Sequence, residues 1–303
     1  MRAFITGISG FAGKYLAQYL LENNIEVFGI DRTGSEIKDC DVRECDVLDK
    51  EKVFSIIAEV KPDYVFHLAA ISSVGKSFEE PQITKKVNVK GTKNLFDGIV
   101  EAGIKPTVLV ISSLQIYGKP DKVPITEDAE LRPASPYAES KVEQEKLCEE
   151  YADKFKIIIS RSFNHTGPGQ NADFVWPSFA KQIVEIETGK LKELHVGNLD
   201  VERDFSDIRD IAKAYILAVE KCEPGVYNIC SGKSYNIKKM LDTLISYSTA
   251  EIKVVVDETR IRKADVPVLY GDHSKFTAAT GWQPKIPLEQ TLKDILEYWR
   301  KNI

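Results

Sequence analysis

Tyr137 and Lys141 stand four residues apart in "SPYAESK". That spacing puts both on one face of a helix started by Ser135-Pro136. A free phenol titrates near 10, and an adjacent ammonium favours phenolate and lowers that value, so the pair is suited to moving a proton near neutrality. Lys141 can also hold a ribose, and Ser113, ending the run "PTVLVISS", can polarise the same substrate oxygen. A chain with 12 tyrosines is expected to contain a YxxxK by chance, and a second one exists, Tyr235 with Lys239. It has Ile211 at the upstream distance where Tyr137 has Ser113, so it reads as a surface helix. Gln115, two residues past Ser113, can hydrogen-bond but cannot exchange a proton at ordinary pH. Chemistry that needs an acid there would lose a contribution of about 10²- to 10⁴-fold.

A second constellation binds rather than reacts. "TGISGFAG" places Gly7, Gly10 and Gly13 between an apolar run and a helical one. Glycines there allow a tight turn and a close backbone approach to a pyrophosphate seated on the helix N-terminus. The spacing is GxxGxxG instead of the common GxGxxG. Asp31 follows 18 residues after Gly13, at the end of the next apolar run, where an acid can bind adenosine ribose hydroxyls and favour NAD. Arg32 beside it can face a 2′-phosphate, which keeps NADP open. Asp46 in "CDVLD" can reach the adenine amino group or cap the helix beginning "DKEKV".

These residues need a scaffold, and the chain supplies an alternating one. "RAFITG", "EVFGID", "YVFHLAA", "PTVLVISS" and "KIIISRSF" read as strands, with helical segments between them. Such alternation predicts an α/β fold, a doubly wound parallel sheet of the Rossmann type. From Asn164 the pattern loosens, although "DFSDIRDIAKAYILAVEK" followed by "GVYNIC" is expected to return to the sheet. The expected division is a dinucleotide domain over 1–163, with a returning segment at about 205–230, and a smaller interleaved lobe over 164–204 and 231–303.

The totals narrow the function classes. A net charge of −5 and a pI near 5.6 argue against nucleic acid as main partner. No apolar run approaches the roughly 20 residues that span a bilayer, and no signal peptide is expected before "MRAFITG". Five cysteines and four histidines are scattered without paired spacing, so no disulfide framework or metal site is expected, and the cytoplasm is the expected home.

In this order, "TGISGFAG", "LAA", "SSLQIYG" and "YAESK", with "RSFNHTGPGQ", "GNLDVERDFSDIRD" and "GWQPKIPLEQTLKDILEYW" downstream, resemble the extended short-chain dehydrogenases/reductases that act on nucleotide sugars. The resemblance spans essentially the whole chain. It implies a seven-stranded sheet, a bound NAD(H) or NADP(H), and catalysis by Ser113, Tyr137 and Lys141. It implies that Ser9, Phe11, Ala12, Val47, Leu68, Ala69 and Ala70 join the cofactor contacts. Asn88 is expected to kink a helix behind the site and help hold Lys141 through water. Ser72, Ser73, Gln115 and Asn164 are implied near the sugar, and Lys181, Arg203 and Arg262 near its diphosphate. Dehydratases of this group keep a glutamate where this chain has Gln115, and those that epimerise before reduction keep a cysteine where it has Leu114. That leaves a 4-keto reductase or a 4-epimerase, and the likeness of "FNHTGPGQ" and "GNLDVERDF" to the GDP-mannose branch implies reduction of the 4-keto group of GDP-4-keto-6-deoxy-mannose to GDP-rhamnose. A nucleotide-hexose 4-epimerase and a non-catalytic dinucleotide sensor are the alternatives. A homodimer is implied by the resemblance alone.

Overall fold

Residues alternate between two buried faces along each central strand, so every strand needs helices on both sides. In β1 (Arg2–Thr6), Ala3 and Ile5 enter one apolar cluster while Phe4 enters the other. The computed structural model describes residues 1–260 and 266–303. After β1 come α1 (Phe11–Glu22), β2 (Glu26–Asp31), β3 (Asp41–Glu44), α2 (Lys50–Val60) and β4 (Tyr64–His67). The short helices α3 (Val74–Glu79) and α4 (Pro81–Lys85) lead through a π-helical turn, Lys86–Lys90, into α5 (Gly91–Glu101). β5 (Thr107–Ser113), a 3₁₀ turn (Leu114–Tyr117), α6 (Pro136–Glu150) and β6 (Lys156–Ser162) complete the first half.

The second half interleaves, as the loosened pattern predicts. β7 (Asn164–Thr166), α7 (Val175–Glu187), β8 (Leu194–Val196), β9 (Glu202–Arg203) and β10 (Phe205–Asp207) precede α8 (Ile208–Lys221) and β11 (Gly225–Ile229). β12 (Tyr235–Asn236), α9 (Ile237–Ser246), β13 (Val254–Val256), β14 (Val268–Leu269), α10 (Ser274–Thr280) and α11 (Leu288–Asn302) follow.

The main sheet is parallel and seven-stranded, in the order β11-β6-β5-β4-β1-β2-β3. This is the expected doubly wound arrangement, with β11 returning to its edge. α1 and α8 cover one face, and α2 and α5 the other. A third cluster, built on Trp176, Ile183, Leu194, Leu241, Leu292 and Ile295, joins α7, α9 and α11 around β8. Its core side chains are almost all aliphatic or aromatic, and each fully buried one contributes about 1.5–3 kcal/mol.

Two sequence expectations shift by a few residues. α6 ends at Glu150, so the "YADKF" stretch expected to be helical is turn. Tyr235 lies in β12, and its neighbour Asn236 caps α9 by accepting from the Lys239 amide at 3.0 Å. The second YxxxK is therefore split between a strand and a helix and has no shared face.

Candidate active site

The glycine loop shows why each glycine stands where it does. Gly7 has φ +74°, and a Cβ there would lie 2.9 Å from the Ala69 amide nitrogen. A Cβ on Gly13 would lie 2.5 Å from the carbonyl oxygens of both Gly7 and Ile8, so only glycine lets α1 pack this close to the loop that follows β1. Gly10 is the N-cap of α1 and places no side chain on the first helical amides. Ser9 Oγ is buried without a hydrogen-bond partner beside that helix end. Exposed helix dipole, free amides and an orphan hydroxyl together fit an anionic ligand, which is what a dinucleotide pyrophosphate offers. Phe11 and Ala12 open α1, and Phe11 stacks on His165 with ring centroids 6.4 Å apart.

Farther along the loop side, Asp31 ends β2, and its Oδ1 accepts from Thr33 N at 3.4 Å and Thr33 Oγ1 at 3.3 Å. Arg32 is exposed next to it. Asp46 accepts from Leu48 N at 2.9 Å, and the cap of α2 is Asp49, which accepts from Lys52 N at 3.1 Å. The capping role considered for Asp46 thus belongs to its neighbour. Val47 packs into the cluster below β2, and Leu68, Ala69 and Ala70 follow the end of β4.

Ser113, Tyr137 and Lys141 meet at the C-terminal end of β5. Strand alternation sends neighbouring serines apart. Ser112 Oγ donates to Glu145 Oε1 at 2.5 Å, whereas Ser113 faces the site and accepts from Gln115 N at 3.2 Å. Ser135 caps α6 by accepting from Ala138 N at 3.2 Å and so fixes the turn that carries Tyr137. Burial raises the Tyr137 phenol above its ordinary value, and the Ser113 hydroxyl acts in the opposite direction. Lys141 Nζ sits 5.9 Å from the centre of the Tyr137 ring and donates to Ile111 O at 2.7 Å and Gln144 Oε1 at 2.9 Å. Burial pushes its ammonium down to about 8, against smaller opposing effects of Cys148 and Glu145. That displacement is a net cost of roughly 3 kcal/mol for keeping the charge there.

Behind this group, Asn88 lies in the π-helical turn. Its side chain accepts from Ile71 N at 2.9 Å and donates to Ser140 Oγ at 2.9 Å. The π-helical turn interrupts the helix where a kink is expected. The Asn88 carbonyl accepts from Gln144 Nε2 at 3.2 Å, and the Gln144 oxygen accepts from Lys141 Nζ. Tyr117, at the end of the 3₁₀ turn, is fully buried and donates to Asn228 Oδ1 at 2.7 Å.

The remaining substrate candidates divide. Ser72 and Ser73 are exposed after β4, and Ser73 is occupied capping α3 by accepting from Lys76 N at 3.2 Å. Gln115 is half-buried beside Ser113. Asn164 begins β7, opposite Phe205 of β10, and donates to Asp204 O at 3.0 Å. The Asp204 carboxylate accepts from Ser231 N, Ser231 Oγ, Gly232 N and Gly271 N, at 2.7 to 3.3 Å. Arg203 donates to Glu202 O at 2.8 Å. Lys181 is not gathered with the reacting group: its ammonium lies 5.8 Å from the Trp299 ring centre and 3.8 Å from Glu185. Arg262 lies outside the described residues. Sequence reasoning missed His67, Thr92, Gln144 and His165. Their only local signal is that Gln144 falls one helical turn after Lys141.

A family model described as GDP-mannose 4,6 dehydratase matches residues 4–295. A curated GDP-6-deoxy-D-mannose reductase from Pseudomonas aeruginosa is 35% identical over 100% of this chain and 98% of its own length. A GDP-mannose 4,6-dehydratase from Vibrio cholerae is 29% identical over 97% of this chain and 92% of its own. Among solved structures, RMD from Pseudomonas aeruginosa complexed with NADPH superposes with a TM-score of 0.88 at 33% identity, covering 100% of this chain and 99% of that one. A UDP-glucose 4-epimerase from Thermotoga maritima with UDP-glucose gives 0.89 at 30% identity, covering 100% and 99%. With a glycine loop, a Ser-Tyr-Lys group and a family match over nearly its full length, the chain belongs to the GDP-mannose 4,6 dehydratase family of extended short-chain dehydrogenases/reductases.

Proposed function

We propose that this protein is an NAD(P)H-dependent reductase of a nucleotide sugar, converting the 4-keto group of GDP-4-keto-6-deoxy-D-mannose to the alcohol of GDP-D-rhamnose. The observation that carries the reading is a complete Ser113–Tyr137–Lys141 group whose rim holds the amide of Gln115 where elimination requires an acid. Identity to a curated reductase over the full chain supports the same choice.

A reduced nicotinamide dinucleotide bound at the glycine loop supplies the hydride. Tyr137, kept protonated by burial, gives its proton to the carbonyl oxygen as negative charge develops there. Ser113 donates a hydrogen bond to the same oxygen, and the Lys141 ammonium stabilises the phenolate that remains. Carbonyl carbon gains hydride and carbonyl oxygen gains a proton, so the balance closes without loss of water. The lobe around α7, α9 and α11 takes the nucleotide sugar, with Asn164, Arg203 and Arg262 as its diphosphate and sugar contacts. The helices carrying Asn88 and Tyr137 pair in a homodimer, and the enzyme works in the cytoplasm. The apolar side chains of Ile83 and Val100, exposed on that helical run, support such a pairing.

The test is purified protein with NADPH or NADH and GDP-4-keto-6-deoxy-mannose, following reduced-cofactor absorbance. Loss of that signal with formation of GDP-rhamnose is expected. A steady signal with interconversion of nucleotide hexoses would instead establish a 4-epimerase, an outcome that likeness to the Thermotoga epimerase makes worth measuring. Binding of dinucleotide with no turnover of either kind would establish a sensor.

A further inference from the structure

Gln144 is completely buried, and an amide in that position must have both ends engaged or cost stability. Its Nε2 lies 2.7 Å from Thr92 Oγ1 and 3.2 Å from Asn88 O, and its Oε1 lies 2.9 Å from Lys141 Nζ. Thr92 Oγ1 donates to Asn88 O at 2.6 Å and meets His67 Nε2 at 2.8 Å. His67 Nδ1 meets Thr6 Oγ1 at 2.7 Å, and Thr6 Oγ1 accepts from Ala69 N at 3.2 Å. One assignment of protons gives every group a partner. Thr6 donates to Nδ1 of a neutral His67, whose Nε2–H donates to Thr92. Gln144 then turns its two N–H groups to Thr92 and Asn88, and its oxygen to Lys141. Burial holds the imidazole neutral by pushing it down to about 3, helped by the charge of Lys141.

This chain starts at the end of β1, under the glycine loop, and ends on the ammonium. A residue serving only to fill space there could be any apolar side chain of the same volume. The amide is instead one of two protein acceptors on Lys141 among the described residues, the other being Ile111 O. An ammonium has three N–H groups, so one is left beyond these two acceptors for a ligand.

We propose that Gln144 is a positioning residue, which fixes Lys141 with a single N–H directed to the dinucleotide and Tyr137 and sustains the ammonium against burial. The proposal rests on the reading of Tyr137 and Lys141 as a hydride-transfer pair, and extends it to a side chain that touches neither substrate nor cofactor.

Two nearly isosteric variants of the full chain test it, Gln144→Met and Gln144→Glu. Gln144→Met removes an acceptor that favours the charged lysine, so the alkaline limb of the pH–rate profile is expected to move to lower pH. Its kcat should fall at least tenfold at neutral pH, with KM for the sugar nucleotide within about twofold. Gln144→Glu puts a carboxylate on the ammonium and should move the limb to higher pH. NADPH affinity, followed by cofactor fluorescence across the same pH range, should shift its midpoint in the same two directions. A folded Gln144→Met protein with wild-type kcat and an unmoved limb overturns the proposal. If that variant does not fold, an unmoved limb in Gln144→Glu does so alone. Should the unaltered protein bind NADPH without reducing the sugar nucleotide, the functional reading fails, and the proposal is judged on the binding midpoints of the two variants.

Discussion

The wall that carries Tyr137 and the lobe around α11 are held together by opposite means. Behind Tyr137, a patch of buried polar side chains where α5 and its π-helical turn meet α6 is joined by hydrogen bonds: Asn88, Thr92, Ser140, Lys141 and Gln144, with Glu145 beside them. Arg161 and Glu145 form a buried ion pair at 2.8 Å beside them. The lobe has an aliphatic and aromatic core, with its charges at the margin, such as Arg300 on Glu187 at 2.6 Å. Polar interiors are directional, so they fix atoms within narrow limits, whereas apolar cores fix volume and tolerate adjustment. The groups proposed to react thus sit on the unyielding part and the proposed recognition surface on the adaptable one.

The largest effect should come from the rigid side. Tyr137→Phe removes the proton and is expected to cost about 10²- to 10⁴-fold in kcat while NADPH binding, measured by fluorescence titration, persists. Equal turnover in that variant would break the assignment. Gly13→Ala should abolish dinucleotide binding, because its Cβ meets two carbonyl oxygens at 2.5 Å. The same clash should lower stability by about 1–3 kcal/mol, read from urea unfolding. Next comes pH. Lys141, pushed down to about 8, keeps its charge below that value and loses it above. Activity of the unaltered protein should therefore fall as pH rises through about 8, and a flat profile to pH 10 would show that the ammonium is not needed.

On the adaptable side, Arg203→Ala is expected to raise KM for the nucleotide sugar about 10- to 100-fold with kcat nearly kept, as loss of a charge-assisted contact does. Lys181→Ala, already engaged with Trp299 and Glu185, should move KM by less than about twofold. A reversal of those two would relocate the diphosphate. The smallest change is expected from Gln115→Glu, which should keep reduction and give no detectable water loss from GDP-mannose. Measurable dehydration would show how little separates the two chemistries on this scaffold.

What could be read in the sequence follows from distance along the chain. The central strands of the sheet were legible because both of their faces are buried and their apolar runs are continuous. Gly7, Gly10 and Gly13, and Tyr137 with Lys141, were legible because their geometry is set within two turns of one helix or loop. Ser113 needed only the end of a strand. His67, Thr92 and Gln144 belong to three different elements, and nothing local distinguishes a buried glutamine from a solvated one. Lys181 shows the same limit in reverse: a lysine on an amphipathic helix looks alike whether it meets a phosphate or a tryptophan. Asp46 and Asp49, three residues apart, are equivalent caps until the helix start is fixed.

Asp204 has a consequence for how the protein melts. Its one carboxylate, fully buried, ties the strands entering the lobe to the end of β11 and to Gly271, while its carbonyl holds Asn164. Neither the sheet edge nor the lobe can come apart without releasing the same four donors. Heat should therefore dissolve both in a single cooperative transition, with no folded nucleotide domain surviving the loss of its smaller companion.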